Sequence, residues 1–200
     1  MTPGTCKTFI IRFLGCSILL SIIISGPGET HAGRNSRDFV PSRYGFALIL
    51  GNTYNPENDI RFSLISGFAL YDYDRIWHHP APAPLRFKVE GSLGATTSPR
   101  TRAVASCGIM ALYYLDKFAT QRLRPYGEAG IGIIYTDFRV KGQGLRINFN
   151  PQAGFGTEFL TGSGSPFFTT LRLHHISNGD LYKDNRGVNA VVLVLGYFFH

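Results

Sequence analysis

A histidine and a serine lie two residues apart, at His175 and Ser177, near the end of segment 167–178. The segment alternates in the manner of a β-strand, so its odd-numbered residues share one face. That face is otherwise apolar and includes Leu171 and Leu173. Side chains at i and i+2 are about 7 Å apart at the backbone, which lets an imidazole reach a neighbouring hydroxyl. A base and a nucleophile on an apolar face predict chemistry on a lipid.

The N-terminal segment has the pattern of a secretory signal peptide. Lys7 and Arg12 precede an apolar run at 13–24, and small residues end the segment in an A-x-A-like cleavage site. The run is shorter than a helix that spans a bilayer. We therefore expect residues 1–32 to be a cleaved signal peptide and residues 33–200 to form a single domain.

Cleavage changes the formal net charge only from +7 to +6, because Lys7, Arg12 and Glu29 are lost. A basic exported domain suits an anionic, phosphate-bearing membrane surface, and nucleic acid is not an expected partner.

The adjacent His78 and His79 lie in a Pro-rich stretch with no third ligand at a suitable spacing, so no metal site is expected. No motif for a phosphate-binding loop or a dinucleotide is present, and no cofactor is expected.

Alternation of apolar and polar residues extends over most of the remaining chain, interrupted by turn-like stretches. It predicts eight strands, at 43–52, 59–73, 85–96, 102–116, 123–140, 145–160, 167–178 and 187–199. No segment after the signal peptide has 18 consecutive apolar residues, so a membrane-spanning helix is not expected. The predicted fold is all-β, an eight-stranded antiparallel transmembrane β-barrel of the outer membrane. A barrel of this size is filled by side chains and is not a pore.

The same alternation predicts which face of each strand points into the barrel. In the second segment, Phe62 and Leu64 lie on one apolar face and Gly67 lies on the other, so Gly67 is expected to point inward. Gly154 and Gly156 are also expected inside, where small residues make room for larger neighbours.

Two stretches near the C-terminus, 175–179 (HISNG) and 185–189 (NRGVN), are followed by an apolar last strand. With the signal peptide and the strand count, they resemble the lipid A 3-O-deacylase (PagL) family of outer-membrane acyl hydrolases. The resemblance implies an active site on the outer wall of the barrel, which hydrolyses the ester that joins the primary acyl chain to the 3-position of lipid A. It implies lipid A of lipopolysaccharide as substrate and the Gram-negative outer membrane as location, and it leaves a homodimer open.

The resemblance also implies roles for individual residues. Ser177 matches the nucleophile and His175 matches the general base of the family. Asn178 matches a residue that stabilises the oxyanion. Asn189 stands where the best-known member has a glutamate, and an amide there is expected to orient the imidazole without supplying a charge.

Polar and basic residues of the outward loops are expected to bind the substrate. Asn185 corresponds to a polar position of the family. Lys183, Arg186, Arg139 and Lys141 lie in predicted outward loops, where they could clamp the phosphates of lipid A.

Two other functions remain open at this point. A non-catalytic outer-membrane barrel with a structural or lipid-binding role is favoured if Asn189 marks a lost triad. A soluble lipid-carrying barrel with an apolar interior would show a similar alternation.

Overall fold

The computed structural model describes residues 41–56, 59–162 and 167–199. The expected signal peptide lies outside the described residues. These residues form nine strand segments: β1 Arg43–Asn55, β2 Arg61–Asp72, β3 Leu85–Ser98, β4 Ala103–Tyr114, β5 Leu123–Thr136, β6 Ile147–Phe149, β7 Gln152–Phe159, β8 Phe167–Ile176 and β9 Val188–Phe199. A short helix, α1 (Tyr73–Trp77), and a 3-10 turn, Asp116–Phe118, lie in two connections. In this part of the chain no helix is long and apolar enough to cross a bilayer.

The strands form one closed antiparallel barrel. Apart from β6 and β7, which do not pair with each other, each strand pairs with its neighbour along the chain, and β1 pairs with β9 to close the sheet. Both β6 and β7 pair with β5, so they are two halves of one interrupted strand. Pro151 lies between them and lacks the N–H that a continuous ladder needs. The predicted eight-stranded antiparallel barrel is therefore confirmed.

The connections divide into two groups at opposite ends of the barrel. We call the upper end the one with the connections that follow β1, β3, β5 and β8, and the lower end the one with those that follow β2, β4 and β7. The connection after β5, at 137–146, and the connection after β8, at 177–187, contact each other at the upper end. They position the candidate active site.

The outer wall is apolar over most of its height. Large side chains such as Ile65, Leu93 and Phe155 point away from the barrel and are 67–75% exposed. An apolar outward face alternating with a partly polar interior is the arrangement of a barrel that spans a membrane. A soluble lipid-carrying barrel would have the opposite polarity.

The predicted orientation of β2 is wrong. Phe62 and Leu64 point into the barrel and are buried. Gly67 is on the outward face, and a Cβ at this position would meet nothing within 4 Å. The physical reason is that the interior has apolar layers as well as polar ones. Phe68, also on the inner face of β2, packs edge-on against Phe168 and, with a 5.2 Å ring separation, against Phe198.

The inward orientation of two glycines on β7 agrees with the prediction. A Cβ at Gly154 would lie 2.8 Å from Cγ of Arg172, and a Cβ at Gly156 would lie 2.6 Å from Cζ of Tyr126. Both glycines therefore provide the space that a large inward side chain on a neighbouring strand occupies.

Charged side chains fill the middle of the barrel. Arg172 is fully buried, donates from Nη1 to Glu90 at 2.7 Å and is hydrogen-bonded to Glu128. Lys88 lies between the same two carboxylates, 2.9 Å from Glu90 and 3.4 Å from Glu128. Each buried charge thus has an opposite charge in contact, as burial requires. The network occupies the space that an aqueous channel would need.

Candidate active site

The residues expected to do chemistry lie on the outer wall at the upper end. Along β8 the even-numbered side chains are buried in the barrel, and His175 points outward and is exposed. Ser177 follows the end of β8 and is half-buried. Its backbone exchanges two hydrogen bonds with Phe149 of β6, at 2.8 and 3.1 Å. The strand pairing therefore holds the backbone of Ser177 in place although β8 has ended.

Asn189 lies directly opposite His175 in the ladder between β8 and β9. Oδ1 of Asn189 is 2.6 Å from Nδ1 of His175. When Nδ1 carries the imidazole proton, it donates to this oxygen and leaves the lone pair of Nε2 free to accept another proton. The amide thus selects the tautomer that a general base needs.

The structure brings together His175 and Asn189, but it does not join Ser177 to them. Within the described residues, the Ser177 hydroxyl forms no hydrogen bond with the imidazole or with another group. Its Cβ–Oγ bond is free to rotate, and catalytic hydrogen bonds often tighten only when substrate is bound.

Asn178 is the centre of a small hydrogen-bond network in loop 177–187. Its backbone N–H donates to Oδ1 of Asn185 at 2.7 Å, and its Nδ2 donates to the carbonyl of Asp184 at 3.0 Å. Nδ2 of Asn185 in turn donates to Asp180 at 2.7 Å. One hydrogen of the Asn178 amide group remains for another acceptor. Asn178 and Asn185 therefore hold the loop that leads from Ser177 to Asn189.

Loop 137–146 supports loop 177–187 from the side. The N–H of Gly144 donates to the carbonyl of Asp184 at 2.7 Å, and the N–H of Arg186 donates to the carbonyl of Gly142 at 2.8 Å. Gly142 has φ 86°, a left-handed conformation that favours glycine. The two loops together extend the barrel wall above the strands.

Comparison with known proteins identifies the family. A family model described as lipid A 3-O-deacylase (PagL) matches residues 65–198. The chain belongs to the lipid A 3-O-deacylase (PagL) family. No curated protein matches it significantly.

Two solved structures are similar to this deacylase in fold. The outer membrane enzyme PagL has a TM-score of 0.53 at 22% identity, over 78% of this chain and 99% of that one. Neisserial surface protein A (NspA) has a TM-score of 0.59 at 14% identity, over 78% of this chain and 94% of that one. These two structures show the fold, and the family match identifies the barrel as an outer-membrane ester hydrolase that acts on lipid A. The non-catalytic alternative is not favoured.

Gly187 lies in stretch 185–189, but the sequence did not reveal its contact with the imidazole of His175. A Cβ at this position would lie 2.7 Å from Cε1 and 3.3 Å from Nε2 of His175. The imidazole of the deacylase therefore packs directly against the backbone of loop 177–187. The only sequence signal is a glycine two residues before Asn189, which has no meaning until β9 is placed beside β8.

We expect Gly187→Ala to lower kcat of the deacylase about 100-fold, because the imidazole would have to move and small displacements of a reacting group cost this much. The fold should persist, since the backbone at Gly187 is not in the left-handed region and can therefore accommodate alanine. Gly91→Ala is the matched control, because Gly91 is an exposed glycine of β3 where a Cβ meets nothing within 4 Å. Wild-type kcat for Gly187→Ala would contradict the close packing of the ring.

The four cations expected to bind substrate fall into two groups. Lys183 and Arg186 are exposed on loop 177–187, beside the candidate catalytic residues. Arg139 and Lys141 line a separate cavity at the upper mouth. In the described residues there is no cluster of three or more His, Cys, Asp or Glu side chains that could hold a metal ion.

Proposed function

We propose that this deacylase cleaves the 3-O-acyl ester of lipid A with Ser177 as nucleophile, His175 as general base and Asn189 as the group that orients the imidazole. The observation that carries the proposal is the 2.6 Å contact between His175 and Asn189 on the outer wall. Ser177 lies two residues after His175 in the chain. A serine hydroxyl is a weak nucleophile unless a base takes its proton.

The reaction would proceed in two steps. The Ser177 oxygen attacks the ester carbonyl while its proton passes to Nε2 of His175, and collapse of the tetrahedral intermediate returns that proton to the departing sugar oxygen. Water then attacks the acyl-serine, again losing a proton to His175, and the fatty acid leaves with Ser177 restored. We assign the remaining amide hydrogen of Asn178 to the oxyanion, where a donor stabilises the developing charge.

The outer wall below the site suits an acyl chain. Leu171 and Leu173 of β8, and Val191 and Leu193 of β9, share the outward face with His175 and are 38–58% exposed. A chain in the bilayer would lie against this face while its ester is next to Ser177. This explains how a lipid is hydrolysed without leaving the membrane.

The site must face the leaflet that contains lipid A. We propose that cleavage after Ala32 leaves the N-terminus of mature chain 33–200 in the periplasm, so that the upper end faces outward. There Lys183, Arg186 and Asn185 would bind the sugar and phosphate groups of the substrate.

Covalent labelling tests the nucleophile directly. An alkyl fluorophosphonate should react with Ser177, because the serine oxygen displaces fluoride when a base takes its proton. Intact-mass and peptide analysis should locate the adduct at Ser177 and show much slower labelling of His175→Ala. An adduct at another serine, or none, would refute the assignment.

Asn189 gives a second prediction. Asn189→Leu should lower kcat about 10²- to 10⁴-fold, because Nδ1 loses the acceptor that selects its tautomer. Asn189→Glu should keep or raise kcat, since a carboxylate also accepts this hydrogen bond and stabilises the imidazolium. Lipid A deacylation rates of both variants, measured on protein with normal heat modifiability, check this. An inactive but folded Glu variant would contradict the orienting role.

A further inference from the structure

A basic cavity of about 500 Å³ lies at the upper mouth of the barrel, apart from the candidate active site. Its walls come from the connection after β3 and from loop 137–146. The charged residues that line it are Arg100, Arg102, Arg139, Lys141, Arg146 and Asp137. Five cations surround one carboxylate, so the lining has an excess of four positive charges.

The single carboxylate neutralises only part of this charge. Arg102 lies 3.3 Å from Asp137, and Arg146 also forms an ion pair with it. Within the described residues, Arg100 and Lys141 have no carboxylate in contact. Like charges that converge on a concave surface repel one another unless an anion is bound between them. The charge therefore points to an anionic ligand.

A buried amide group in the cavity lining gives a second, independent indication. Gln143 is 5% exposed, and its Oε1 accepts a hydrogen bond from the N–H of Val140 at 3.3 Å. Its Nε2 has no hydrogen-bond partner in the part of the chain that the structure describes. A buried donor normally has an acceptor, and because Gln143 lines the cavity, an anion bound there would supply one after a small rotation of the side chain.

The walls are held in place before any ligand binds. The hydroxyl of Thr96, itself buried, donates to the carbonyl of Arg100 at 2.5 Å and accepts from the N–H of Arg102 at 2.8 Å. On the other side, the guanidinium of Arg139 donates to the carbonyl of Gly144 at 3.3 Å. Preorganised donors lower the cost of ordering side chains on binding.

The cavity is distinct from the site on the outer wall. Its lining contains no residue of β8, β9 or loop 177–187. It does include Ile60 and Thr96, which are buried side chains of the barrel interior. The cavity thus lies over the mouth, whereas His175 points away from the barrel.

We propose that this cavity is a second lipopolysaccharide site, which binds headgroup phosphates independently of the catalytic residues. A phosphate monoester has nearly two negative charges and three acceptor oxygens, which match guanidinium, ammonium and amide donors from several directions. The assignment of the phosphate to lipopolysaccharide rests on the proposed function, but binding of phosphate itself does not.

Two double variants of the full chain test the proposal. Arg100→Ala/Lys141→Ala removes two cavity cations without breaking an ion pair. Lys117→Ala/Arg122→Ala removes two exposed cations at the lower end and is the matched control. Calorimetry with inorganic pyrophosphate at low ionic strength should show saturable binding that is at least about tenfold weaker in the cavity variant and within about twofold of normal in the control. Equal affinities in the two variants would overturn the phosphate site.

Lipid micelles distinguish the source of the phosphate. In a Ser177→Ala background, which prevents turnover, lipid A and phosphatase-treated lipid A are compared as ligands. The cavity variant should bind lipid A more weakly than the control, and both should bind the dephosphorylated lipid equally. Equal binding of lipid A by both variants, despite weaker pyrophosphate binding, would overturn the headgroup assignment and indicate a free phosphate compound. Neither measurement depends on hydrolysis, so failure of the catalytic proposal would be recognised separately.

Discussion

Replacing Ser177 with alanine should abolish release of the 3-O-acyl chain, with kcat lowered at least about 10³-fold. The variant lacks the hydroxyl that follows β8, two residues beyond His175, so no acyl-enzyme can form. Lipid A from cells expressing the native chain should lack one 3-hydroxyacyl chain in its mass spectrum, and lipid A from cells expressing the variant should retain it.

Ser63→Ala is the matched control for this experiment. Ser63 is also a half-buried serine, and it lies on the outer face of β2, away from His175. Its removal should leave the mass spectrum of lipid A as the native chain produces it. Deacylation by both variants would refute Ser177 as nucleophile. Intact lipid A with all three proteins would refute catalysis by this chain under those conditions.

Replacing Arg172 with methionine should lower the free energy of unfolding by about 3–5 kcal/mol, the usual cost of removing one partner from a buried ion network. Glu90 and Glu128 would remain inside the barrel with only Lys88 to compensate them. Urea unfolding in lipid, followed by the mobility difference between folded and unfolded barrel on a gel, measures the loss.

A matched variant separates the effect of the buried network on stability from the effect of removing any one cation. Arg122→Ala removes one exposed cation at the lower end and should change the free energy of unfolding by less than about 0.5 kcal/mol. Replacing Arg172, Lys88, Glu90 and Glu128 together with apolar residues of similar volume should restore most of the stability, because no uncompensated charge is then buried. A loss below about 1 kcal/mol for Arg172→Met would contradict the presence of this ion network inside the barrel.

The positions of the strands could be predicted because alternation is a local property. Each of the eight predicted segments overlaps a strand or, for 145–160, the two halves around Pro151. The direction of each face was harder to predict. On β2 both faces have apolar residues, because Phe68 joins an aromatic layer inside while Ile65 meets the membrane outside. Only pairing with the neighbouring strands decides between them.

The candidate site was also predictable only in part. His175 and Ser177 were identifiable from type, spacing and resemblance, and the resemblance also identified Asn189. Two features of the site could not be predicted: the close approach of Gly187 to the imidazole and the support of loop 177–187 by loop 137–146. Each joins residues that are distant in the chain or lie on different strands.

The sequence by itself determined that this chain forms a barrel of eight strands and that an imidazole and a hydroxyl lie on its outer face. Both follow from the two-residue period of a strand, because this alternation is visible among residues that are close together in the chain. The tertiary structure decided the register that places Asn189 beside His175, the ion network around Arg172 and the basic cavity at the mouth. These depend on barrel closure and on contacts between loops, for which the sequence has no local pattern.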